Sequence, residues 1–70
     1  MTLTATAAMP YEHLERATAG LRGQLRELAA AADAVPDWTT LTVTGPAQDV
    51  GAHGRIWYRW TATVLAETAD

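Results

Sequence analysis

Two histidines, eight carboxylates and no serine or cysteine limit the chemistry this chain can perform. Asp49 and His53, four apart in "QDVGAHGR", are spaced for general acid–base work. No Ser or Cys nucleophile accompanies them, and no third group stands at an orienting distance in sequence. Histidine tolerates the left-handed backbone region, so His53 is expected to be a turn residue. "GAHGR" has the glycines of a phosphate loop, but such a loop needs a following helix N-terminus or a lysine. Here a strand pattern follows, and the chain has no lysine. Glu12 and Glu15 suit the first turn of a helix. A di-iron site would want Glu-x-x-His, whereas Glu12 and His13 are adjacent. A structural zinc ion normally takes four Cys or His ligands, and two histidines cannot supply them. No catalytic, cofactor or metal residues are assigned, and an enzyme is not expected.

Binding chemistry is concentrated in "GRIWYRWTATV" (Gly54–Val64), which holds two of the three tryptophans. Side chains alternate along a strand. One face then carries Ile56, Tyr58, Trp60, Ala62 and Val64, a core pattern. The other carries Arg55, Trp57, Arg59, Thr61 and Thr63. With Trp38, Thr40 and Thr42 of the preceding strand, this forms an outer sheet face. Trp38, Arg55, Trp57 and Arg59 are therefore the expected partner-binding residues, because Trp and Arg dominate interface hot spots. The same set allows self-association, a heterologous protein, stacking on single-stranded nucleic acid, or packing of Trp57 on Trp38 and arginine stems. A formal charge of −3 weighs against nucleic acid, where phosphate neutralisation dominates affinity. Arg22 and Arg26, four apart on a helix, read as a solvated face or a site for an acidic partner.

These residues need elements to hold them. Seventy residues make one domain at most, and without cysteine no disulfide can staple it. Chains of this size rarely bury enough apolar surface alone. Oligomerisation is the remaining remedy, and a two-fold homodimer is the commonest form. No apolar run approaches a membrane span, and "MTLTATAAMP" lacks the features of a secretory signal. A cytoplasmic location without membrane contact is expected. The absence of Lys, Asn, Ser and Phe beside abundant Ala, Thr, Arg and Gly suggests a GC-rich bacterial genome, or a phage or plasmid of such a host.

The elements are expected in the order α-β-β, an α+β fold. Residues 1–9 are a flexible segment or a short edge strand. Residues 10–67 form the single domain, and 68–70 fray. Pro10 opens a helix reaching Ala34. Tyr11, Leu14, Thr18, Leu21, Leu25, Leu28 and Ala32 make a heptad stripe on it. Leu14, Leu21, Leu25 and Leu28 of that stripe face the core or a dimer partner. Gly20 and Gly23 are either tolerated or admit a close backbone. "WTTLTVT" is a strand with Leu41 and Val43 on one face. It joins the second strand by a tight turn at Ala52–Arg55 with a bulge at Gly45-Pro46, or by a wide loop over Gly45–Gly54. The tight register sets Val43 against Val64 and Ala47 against Trp60. The hairpin extends by edge pairing with a second copy, or the helices pair. The expected function is a non-catalytic accessory, regulatory or inhibitor protein. It binds an unidentified macromolecular partner through its sheet, with single-stranded nucleic acid as the alternative.

Overall fold

A computed structural model describes residues 1–10 and 12–68. Strand β1 (Thr2–Met9) leads into helix α1 (Leu14–Ala31), then β2 (Ala34–Val50) and β3 (Ile56–Thr68). The strands form one antiparallel sheet in the order β1-β3-β2. The expected α-β-β order is thus corrected to β-α-β-β: residues 2–9 are an edge strand, and the sheet has three strands in a single chain. "TLTATAAM" alternates Thr with small apolar residues, and β3 offers it a matching partner. Leu3, Ala5, Ala7 and Met9 lie opposite Val64, Ala62, Trp60 and Tyr58 on the helix side. A tail that alternates in this way docks because each second side chain enters the core. No dimer is present in this single chain.

The helix is shorter at both ends than the Pro10–Ala34 expectation. His13 caps the N-terminus with extended backbone. At the other end Asp33 adopts a left-handed φ of 50°, the usual way a helix is stopped, and Pro36 follows in extended chain. Ala17, Leu21, Leu25 and Ala29 are the buried helical positions. Steps of four replace the alternating steps of the heptad, so the buried stripe drifts round the helix. Leu21 and Leu25 are fully buried. Leu14 and Leu28 are 53% and 42% exposed and lie outside the core of this chain. Tyr11 lies outside the described residues. Gly20 sits against Met9, whose Cε would be 3.4 Å from an added β-carbon, while Gly23 meets nothing.

The core combines Leu21 and Leu25 with Ala5, Met9, Ala17, Trp60, Ala62 and Val64. Burial of each large side chain is worth about 1.5–3 kcal/mol. Leu41, Val43 and Tyr58 pack around its edge as their alternation implies. Ile56 falls on the same side of the sheet but is exposed.

The hairpin closes tightly. Val50 pairs with Ile56 across a 3₁₀ turn at Ala52–Gly54, and the Gly51 N–H donates to the Arg55 carbonyl at 2.7 Å. His53 and Gly54 have φ of 62° and 72°, so the histidine takes the turn role. The tight register is nevertheless displaced. Ala47 faces Arg59 rather than Trp60, and Val43 faces Ala62 rather than Val64. A bulge at Gly45-Pro46 sets two residues opposite Trp60 alone. Gly45 has a φ of 132°, and a β-carbon there would stand 2.9 Å from the Arg59 carbonyl oxygen. Pro46 and Pro36 are tolerated because β2 is an edge strand.

A larger irregularity sets Trp38–Leu41 opposite Val64. Asp37 builds it. Its carboxylate accepts from the Thr39 N–H at 3.1 Å and the Thr39 hydroxyl at 2.6 Å. Its carbonyl accepts from the Thr40 hydroxyl at 2.7 Å. Thr40 Oγ1 in turn accepts from the Leu65 N–H at 2.9 Å, replacing a missing ladder carbonyl.

Candidate interaction surface

The helix covers one face of the sheet and leaves the other open. On that outer face the register aligns Thr4, Thr63 and Thr42 in one row, and Thr6, Thr61 and Thr44 in the next. Thr6 and Thr61 hydroxyls approach to 3.4 Å. Threonine favours strands and presents a hydroxyl to water, so the rows follow from three strands that each repeat Thr-x-Thr.

Arg59 and Trp57 extend this face toward the turn. Arg59 Nη2 lies 2.6 Å from Asp49 Oδ2, and both side chains are about half exposed. Asp49 pairs with Trp57 across the ladder, so Arg59 reaches it diagonally, an ordinary cross-strand contact. The half-buried Trp57 leans over Gly51, where a β-carbon would stand 2.6 Å from Cδ1 of the indole. Arg55 is exposed beside the turn, ahead of β3. Asp49 therefore engages Arg59, not His53, and the acid–base spacing of the sequence is not realised as an ion pair or hydrogen bond.

Trp38 does not join this face. It packs with the core on the helix side, under the guanidinium carbons of Arg22 and Arg26 at 4.8 and 5.7 Å from its ring centroid. The irregularity after Asp37 explains the displacement. Trp38 and Leu41 are three apart, and strict alternation puts them on opposite faces. Four residues facing one bring both to the helix side. The four expected partner-binding residues are thus split: Trp57 and Arg59 share the outer face, Arg55 borders the turn, and Trp38 lies beneath the helix.

Two apolar regions went unnoticed in the sequence. At the end away from the turn, Met1, Val35 and Leu65, with Asp37 and Glu67 beside them, line an open groove of about 590 Å³. Val35 and Leu65 are 62% and 53% exposed. At the turn end, Val50 is 79% exposed beside Ile56. The molecule is 48 Å long, whereas an 18-residue helix spans about 27 Å. The hairpin tip outruns both the helix and β1, which ends opposite Tyr58.

Among the described residues, no group of three or more His, Cys, Asp or Glu could hold a metal ion. No helix among them is long and apolar enough to cross a membrane. No family model, curated protein or solved structure matches this chain.

Proposed function

We propose that the chain is a non-catalytic interaction module, an accessory, regulatory or inhibitor protein. It works as a homodimer and holds a protein partner on the outer face of its sheet. The observation that carries this reading is the uncovered face itself. Two rows of threonines are bracketed by Trp57 at one end and by exposed Val35 and Leu65 at the other. Val35 and Leu65 are 62% and 53% exposed there, apolar surface that a partner would bury. The mechanism is steric: a stiff sheet presents hydroxyls and apolar ends to a complementary surface. Nucleic acid is less favoured, because Asp49 already satisfies Arg59 and phosphate would have to displace it.

Sedimentation equilibrium at micromolar concentration tests the dimer, and a stable 7.5 kDa monomer overturns it. Pull-down from the native host tests the partner. Leu65→Asp is expected to release a protein that the unaltered chain retains. A partner held equally by Leu65→Asp and Trp57→Ala shows that the outer face is not the site.

A further inference from the structure

We propose that Arg22, Arg26 and Trp38 form a binding site for a phosphate group on the flank of α1 that faces β2. Both guanidinium carbons stand over one indole, at 4.8 and 5.7 Å from the ring centroid, inside the range of cation–π attraction. One ring quadrupole does not neutralise two full charges, and like charges four apart on a helix repel.

The local acids lie elsewhere. Glu27 borders the opposite flank of the helix, beside Thr4 and Thr6 of β1. Asp37, although next to Trp38 in sequence, directs its carboxylate to Thr39. Among the described residues neither Arg22 nor Arg26 has an ion-pair partner, whereas Arg59 is held by Asp49. The chain as a whole is acidic, so this flank is a local exception to its charge.

A second observation is independent of charge. Arg22 is half-buried, and its Nε is shielded from solvent without a hydrogen-bond acceptor. With Nε closed off, an anion would meet Arg22 through the terminal nitrogens of its guanidinium. A phosphate group carries about 1.5–2 negative charges at neutral pH and can engage two guanidiniums. The planar fork of arginine suits its oxygens, through short charge-assisted bonds. Contact with one ring restrains both side chains, which reduces the ordering needed when the ligand arrives.

The test is nitrogen-15 NMR of the arginine Nε–H and tryptophan indole resonances at neutral pH and constant ionic strength. Inorganic phosphate and methyl phosphate are titrated against a chloride control. The expected result is a saturable shift at Arg22 and Trp38 that chloride does not produce. Saturation by both probes identifies the phosphate group as the ligand, and saturation by inorganic phosphate alone identifies the free ion. Arg26 is exposed, so Arg26→Gln keeps the fold and is expected to weaken binding about tenfold. Arg22→Lys, which keeps the charge but loses the fork, is expected to weaken it as well, and Arg59→Gln to leave it unchanged. Shifts that do not saturate, or binding unaltered in both Arg26→Gln and Arg22→Lys, overturn the proposal.

Discussion

Replacing Gly51 by alanine is expected to destabilise the protein only while Trp57 is present. Gly51 is not among the glycines with positive φ, so alanine meets no backbone penalty there. The obstacle is the indole. A β-carbon would lie 2.6 Å from Cδ1 and 2.7 Å from Nε1, where ordinary contacts are 3.4–4 Å. Relieving that overlap means moving the ring off the turn or shifting the turn itself, and overpacking of this kind costs about 1–3 kcal/mol. With Trp57→Ala the obstacle is gone. Gly51→Ala then restricts only the unfolded chain and is expected to stabilise by about 0.4–1 kcal/mol. The sign reverses between the two backgrounds, and the coupling amounts to about 1.4–4 kcal/mol, well beyond the error of a double-mutant cycle. The measurement is urea unfolding followed by far-ultraviolet circular dichroism, since Trp57→Ala alters the fluorescence. All four variants are run at one protein concentration, because self-association would add to apparent stability. Equal effects of Gly51→Ala in both backgrounds would refute the account of Trp57 as the side chain that covers the turn glycine.

Three further substitutions test the frame. Gly45→Ala meets the Arg59 carbonyl at 2.9 Å in a φ of 132° and is expected to cost more than about 2 kcal/mol by thermal unfolding, because the obstacle is backbone. Leu25→Ala removes a fully buried side chain and is expected to cost about 2–5 kcal/mol; a variant with unchanged dichroism and melting would place the core elsewhere. Thr40→Val keeps the shape but removes the acceptor of the Leu65 N–H, at an expected cost of about 1–3 kcal/mol. Hydrogen exchange at the Leu65 amide is expected to quicken in that variant.

The inward face of β3 was legible because nothing interrupts its alternation, and Tyr58, Trp60 and Val64 fall where the pattern puts them. The tight turn was legible through the left-handed tolerance of His53 and Gly54. β1 was obscured for a different reason. Small and polar residues give an edge strand little apolar signal of its own, and its identity depends on β3, 49 to 63 residues away. Trp38 was misplaced because period-two reasoning assumes an unbroken ladder. The signal that breaks it is short and polar: Asp37 followed by Thr39 and Thr40, three side chains able to bond their own backbone. The helix stripe was half legible. Leu21 and Leu25 fit either a heptad or steps of four, and only packing against a twisted sheet decides between them.

The two margins of the sheet are unequal. β2 carries Pro36, Pro46 and two irregularities, and prolines and bulges of this kind blunt an edge against further pairing. β1 is eight residues long, regular, uncharged and free of proline within its span. Growth of this sheet by strand addition is therefore one-sided. Two copies meeting along β1 would be bounded at both margins by β2, with no regular edge left to recruit a third. Were copies of this chain to pair along β1, the prolines and irregularities of β2 would oppose growth beyond two.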